Sequence, residues 1–378
     1  MATNLNVALV HDSLQDYGDA ERVLEVLHRL YPNAPVYTAF IDRQALGADA
    51  DRFAGWDIRT TWAQNIPGIP RYWHALRGLL PYFWEALDFS TFDLVISLSG
   101  NYLSQAVLTG VGTLHVSYCH TPPRYLWDGM QWDAPQAGVA SWYAAWVDSR
   151  LRQYDFYSAQ RVDGFVTNSQ GVARRIKKVY RRVAEVIPPP VKIRGTGEAG
   201  NQYYLYVGRL ARYLQVDLAI EACNRLNLPL WIVGTGDDAT RLQALAGEQV
   251  RFLGEVPDSA LVELYANAKA FIFPSTREDF GFAPVEAMGC GVPVIASQLS
   301  GMREVVLDYR TGLLFPQPTV ESLAASIAQF EGLRFSSQAC IERAEEFAES
   351  VFTAKFEWFI AQRLDEHRLS SAATKPEA

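Results

Sequence analysis

Residues 188–208 read PPPVKIRGTGEAGNQYYLYVG, and this stretch decides how the 378-residue chain is organised. Pro188–Gly200 has the proline- and glycine-rich composition of a linker. Tyr203–Gly208 is an apolar run of strand length that stops on glycine. Upstream, LNVALVH (5–11), DLVISLS (93–99), LHVSY (114–118) and GFVTNS (164–169) follow the same design. Downstream it recurs in LPLWIVG (228–234), VRFLG (250–254), KAFIFP (269–274) and VPVIAS (292–297). Near-continuous apolar strands are buried on both faces, as in parallel sheets covered by helices. Between them lie helical patterns, such as the one placing Val23, Leu27 and Leu30 on one face. A β-α alternation that restarts after a linker implies a second doubly wound domain. The expected domains are 1–190 and 201–350, with a C-terminal helix at about 351–369 packing back onto the first. Ligand is expected in the cleft between two such sheets, beyond the carboxyl ends of their strands. The polar tail Ser370–Ala378 is expected to be disordered.

Composition narrows the function. Apolar residues make up 49% and charged residues 20% of the chain, the profile of a globular protein. A net charge of -8 and a pI near 5.4 argue against nucleic acid as the main partner. Cys119, Cys223, Cys290 and Cys340 lie far apart and read as reduced, buried thiols of a cytosolic protein. Met1–His11 lacks the basic flank of a signal peptide, and no apolar run approaches the ~18–20 residues of a membrane span. The expected location is cytoplasmic, with any membrane contact peripheral, at the inner face.

The strongest local signal is Glu278-Asp-Phe-Gly-Phe-Ala-Pro-Val-Glu286. Glu278 follows a strand, while Glu286 lies just inside a helix that starts near Pro284. The first carboxylate suits sugar hydroxyls. The second suits ribose hydroxyls, with the backbone N–H groups of Phe280 and Gly281 facing an anion. Spacing alone also fits a loop acid followed by a helix-capping acid.

With Ala287–Ala296 added, the segment resembles the E-x7-E region of the retaining GT-B glycosyltransferases of family 4. Val207-Gly-Arg209, Val216–Ala222, Val233–Asp238, Val250–Val256, Gly301-Met-Arg-Glu304, Ala20–Leu24 and Tyr118–Asp128 match the family in the same order. The resemblance implies the GT-B fold, two Rossmann-like doubly wound domains facing each other across a cleft. It implies that Glu278 and Asp279 lie at the donor sugar and that Glu286 holds the ribose. Arg209 would neutralise the diphosphate, while Gly18, Gly234 and Gly236 admit the nucleotide. Glu255 and Val256 would meet the base, and His120, ending a strand before Thr-Pro-Pro, would meet the sugar from the first domain. His11, also at a strand end, is as well explained by packing.

The chain departs from the family at two places. Asp19 stands where the family has the second glycine of a pair. Leu214 stands where it has a lysine, so Arg212 is expected to supply part of the missing charge. Asp237 and Asp238 read as a helix-capping pair. No ligand cluster for a metal is evident, so no metal and no cofactor are expected beyond the substrate nucleotide sugar.

The implied activity is transfer of a hexose to a saccharide or lipid-linked saccharide with retention, in polysaccharide biosynthesis. UDP-glucose is the first donor to consider and GDP-mannose the second. A sugar-nucleotide epimerase and a degenerate, non-enzymatic binding subunit are the alternatives. Two aromatic clusters stand out: Trp62, Tyr72, Trp73, Leu79, Leu80, Tyr82, Phe83 and Trp84 with Arg71, His74 and Arg77, then Trp127, Trp132, Trp142, Tyr143 and Trp146. They read either as helix cores or as a peripheral membrane contact.

Overall fold

The computed structural model describes residues 5–128, 139–193 and 200–373. It divides into two compact units, 1–187 with 353–378, and 188–352.

The first unit is built on a parallel sheet of β1 (Val7–His11), β2 (Val36–Thr38), β3 (Ile58–Thr60), β4 (Leu94–Ser99), β5 (Leu114–Cys119), β6 (Gly164–Thr167) and β7 (Ala184–Val186). Among the described residues its order is β3-β2-β1-β4-β5-β6-β7. Every residue of β1, β4 and β5 is buried, which is why those strands carry no polar alternation. From β1 the chain winds to β2 and β3, then returns to β4 on the other side of β1. The loops after β1 and β4 therefore diverge at the sheet's switch point. The C-terminal helix Glu349–Ala373 buries Phe356, Phe359 and Ile360. Phe359 lies against Gly164 of β6, where an added Cβ would come within 3.2 Å of its ring. The tail expected to be disordered from Ser370 is thus helical through Ala373; residues 374–378 lie outside the described residues.

The second unit repeats the plan with β8 (Tyr203–Val207), β9 (Leu230–Val233), β10 (Val250–Gly254), β11 (Ala268–Phe273), β12 (Val294–Ser297) and β13 (Gly312–Phe315). The order β10-β9-β8-β11-β12-β13 puts its switch point between β8 and β11. One face is filled by Tyr204, Tyr206, Ile220, Ile232, Ile272, Phe315 and Ile327, which form a single buried cluster with Leu214.

The aromatic clusters divide between core and surface. Phe83 and Trp84 are buried and Trp73 packs against the same core. Tyr82, Trp142, Tyr143 and Trp146 remain exposed. Trp132 lies outside the described residues.

Candidate active site

At the switch point of the second unit, the chain leaving β8 passes through Gly208 to Arg209. Gly208 N–H donates to Val233 O at 3.0 Å, and Leu210 N–H to Thr235 O at 2.8 Å, so this loop lies flat against the one after β9. Contact this close leaves no room for side chains. A Cβ on Gly234 would fall 2.0 Å from Gly208 O, and one on Gly236 2.3 Å from Leu210 O. Gly234 also has φ +126°, which only glycine adopts readily. These two glycines are required by the backbone itself, before any ligand is considered.

Tyr206 fixes the position of Arg209. Its buried hydroxyl donates to Arg209 O at 3.1 Å. Burial first, and the charge of nearby Glu278 second, push this hydroxyl well above the usual tyrosine range, so it remains a donor. Glu278 and Asp279 are half-buried in the loop after β11. Glu278 O accepts the Gly301 N–H at 2.8 Å, which ties that loop to the one after β12. Phe280 is buried against Phe282 and Phe347, leaving only its backbone for a ligand. Gly281 is the N-cap of helix Phe282–Gly289. The helix thus begins two residues before Pro284, and Glu286 lies in its second turn. Glu286 Oε2 accepts the Tyr265 hydroxyl at 3.2 Å. Val256, half-buried, follows β10. Tyr206 and Tyr265 were not singled out in the sequence, because a tyrosine in an apolar run or on a helix looks like core.

Two expectations change here. Asp238 makes no side-chain cap; its carboxylate is held by Arg241 through bonds of 2.7 and 2.6 Å. Leu214 is no vacancy for a cation, since its side chain is buried in the core cluster, whereas Arg212 is exposed.

In the first unit the switch point is bridged from within. Asp12, after β1, accepts the N–H groups of Tyr102 and Ser104, after β4, each at 3.0 Å. Next to it His11 Nε2 and Glu21 Oε1 lie 2.9 Å apart, both buried. Glu21 Oε2 also accepts the Gly18 N–H at 2.8 Å, so that donor is satisfied inside the unit. Asp19 is the first residue of helix Asp19–Leu30, where an acid favours the helix dipole. His120 follows β5 and donates its backbone N–H to Ser99 O at 2.9 Å. Its ring Nε2 is enclosed and has no hydrogen-bond partner among the described residues. Burial, aided by His11 and opposed by Glu21, lowers its pKa to about 4. His120 therefore offers neutral hydrogen bonding at pH 7, not a full positive charge.

Arg209, Glu278, Glu286, Gly234 and Gly236 thus all belong to the second unit, at the carboxyl ends of its strands; Gly18 and His120 belong to the first. Two parallel doubly wound sheets with this glycine-lined switch point define a GT-B protein. Residues 192–347 match the family described as Glycosyl transferases group 1. It is 35% identical over 164 residues to a D-inositol 3-phosphate glycosyltransferase of Mycobacteroides abscessus, covering 40% of this chain and 37% of that one. A GDP-mannose-dependent alpha-mannosyltransferase of Mycobacterium tuberculosis is 29% identical over 271 residues, 68% of this chain and 66% of the relative. The chain accordingly spans little more than a third of the first relative's length. In fold it is similar to Anabaena HepE in complex with UDP-glucose, with TM-score 0.67 and 18% identity over 94% of this chain and 99% of that one. It is similar too to the apo form of the lipopolysaccharide outer core galactosyltransferase WaaB, with TM-score 0.69 and 17% identity over 94% and 99%.

Among the described residues no group of three His, Cys, Asp or Glu side chains could hold a metal ion. No described helix is long and apolar enough to cross a membrane.

Proposed function

We propose that this protein transfers a hexose from a nucleoside-diphosphate sugar to a saccharide or lipid-linked saccharide, with retention and without a metal. The observation that carries the reading is the switch point of the second unit, where the loops after β8 and β9 pack so closely that Gly234 and Gly236 have no room for a side chain, with Arg209 on the first of these loops and Glu278 and Glu286 in the segment that follows β11. Arg209 neutralises the departing diphosphate, Glu286 holds the ribose, and Val256 meets the base. Glu278, Asp279 and the backbone of Phe280 and Gly281 bind the sugar end.

The acceptor hydroxyl oxygen attacks the anomeric carbon from the face the diphosphate is leaving. The new C–O bond forms as the bond to the phosphate oxygen breaks, and the hydroxyl proton passes to that departing oxygen. Stabilising the leaving charge is the main task of such a site, which suits Arg209 and backbone N–H groups. His120, held neutral, hydrogen-bonds the transferred sugar.

UDP-glucose and GDP-mannose are the donors to compare. Relatives described as GDP-mannose-dependent, 29% and 41% identical, favour the latter. Lipid-linked acceptors are supported by the exposed ring surface of Trp142, Tyr143 and Trp146, with the Arg150 guanidinium 5.7 Å from the Trp146 ring. A calorimetric and thermal-shift screen of UDP, GDP and ADP sugars tests the reading, because a ligand of the native state must raise its stability. Binding of none of them would sink it. Turnover lost in His120→Ala with nucleotide affinity retained is the expected companion result, and turnover unchanged in excess EDTA is another.

A further inference from the structure

Gln215 holds a backbone conformation that its residue type disfavours. At φ +57° and ψ +37° it lies in the left-handed region, which residues carrying a Cβ avoid. It closes the turn Arg212–Leu214 and opens helix Val216–Leu226, yet its side chain makes no cap bond to that helix. The side chain reaches across to the next strand's loop, where the Thr276 hydroxyl donates to Gln215 Oε1 at 3.0 Å.

The location of this contact gives it meaning. β8 and β11 are neighbours in the sheet and flank the switch point. Gln215 ends the segment that begins at Arg209, and Thr276 begins the segment that runs into Glu278. The bond therefore joins the two walls of the crevice at its mouth. The first unit bridges its own switch point at the equivalent place, with Asp12 bonded to the N–H groups of Tyr102 and Ser104. Strained backbone persists where surrounding contacts over-determine it, and such residues gather at functional sites.

We propose that Gln215 is a positioning residue for the donor: its bond to Thr276 holds the Arg209 loop in register with the Glu278 segment, so that the cation and the carboxylate meet the diphosphate and sugar ends of one ligand. This rests on the reading of the second unit as the donor site. A purely structural bond would affect stability alone, whereas a positioning bond controls ligand affinity even where its loss relieves strain.

Ligand-free melting temperatures and calorimetric titrations with UDP-glucose and GDP-mannose test this on wild type, Gln215→Gly, Thr276→Val, the double variant and Arg209→Ala. Each single substitution at the bond should weaken donor binding about tenfold, the scale of one hydrogen bond's contribution. The double variant should bind no more weakly than either single, because both remove the same interaction. Ligand-free Gln215→Gly should melt no lower than wild type, since glycine accepts the left-handed angle freely. Wild-type affinity in Gln215→Gly, fully additive losses in the double variant, or lost binding accompanied by a lowered melting temperature would each overturn the proposal. Arg209→Ala binding like wild type would instead overturn the donor-site reading by itself. Wild-type protein that binds neither sugar nucleotide would overturn both.

Discussion

His11 and Glu21 form a buried ion pair at the end of β1, with His11 Nε2 2.9 Å from Glu21 Oε1. Burial opposes the charge on each. The hydrogen bond and mutual attraction outweigh it, so the His11 pKa is raised and that of Glu21 lowered. A raised histidine contributes its stability in full below its ordinary 6.5 and loses it as pH rises through the folded value. A lowered glutamate contributes above its ordinary 4.5 and loses that as pH falls. The pair should therefore stabilise most between these two values and less on either side. Glu21→Gln should cost ~3–5 kcal/mol there by leaving a buried charge alone. Denaturant unfolding across pH measures it, and a flat difference between variant and wild type would contradict the ion pair.

Asp155 should act in the opposite sense. Its buried carboxylate accepts Trp127 Nε1 and Gln105 Nε2, each at 2.6 Å, together with the Tyr180 hydroxyl. Burial outweighs these donors and raises its pKa to about 7. The folded protein then holds this proton more tightly than the unfolded chain, so stability falls as pH rises from 3.8 towards 7. Asp155→Asn should remove that slope. Melting temperatures of both proteins over this range decide it, and parallel curves would count against a protonated Asp155.

The Glu286 carboxylate, already bonded to Tyr265, is the group we propose for the ribose. Glu286→Ala should weaken binding of the free nucleotide by ~1–3 kcal/mol, the worth of a hydrogen bond to a charged group. Tyr265→Phe removes only the group that orients the carboxylate and should weaken it less. Calorimetry with UDP and GDP separates the two effects. Unchanged affinity in Glu286→Ala would remove this residue from the site.

Leu214→Lys gives the clearest test of the family difference. Placing an ammonium among Tyr206, Ile220 and Ile232 should destabilise the protein by roughly 2 kcal/mol or more, because a buried charge without a partner loses its hydration. No gain in turnover is expected. A stable and more active Leu214→Lys would show that the turn can reopen to expose this position.

Much of the fold was legible in the sequence. The buried strands β1, β4, β5, β6, β8, β9, β11 and β12, together with the partly exposed β10, lie where near-continuous apolar runs end on small or polar residues. The short strands β2, β3 and β7, with three residues each, were not marked, because so brief a run has no period to read. β13 was missed because it opens on Gly312, a residue that weakens strand patterns. Here glycine is required, since a Cβ would lie 1.8 Å from Val294 O of β12.

The sequence by itself determined the α/β alternation, its restart after Pro188–Gly200, and the ordered motifs from Arg209 to Glu286. Each of these is a local pattern, written in hydrophobic period and turn chemistry over a few residues. The tertiary structure alone decided that Leu214 is core, that Glu21 is committed to His11 and Gly18, and that Gln215 answers Thr276 across the switch point. Those outcomes depend on which strands become neighbours and in what register. Contacts between residues as far apart as Gln215 and Thr276 are fixed by which strands pair side by side in the sheet, here β8 with β11, and no pattern along the chain encodes that pairing.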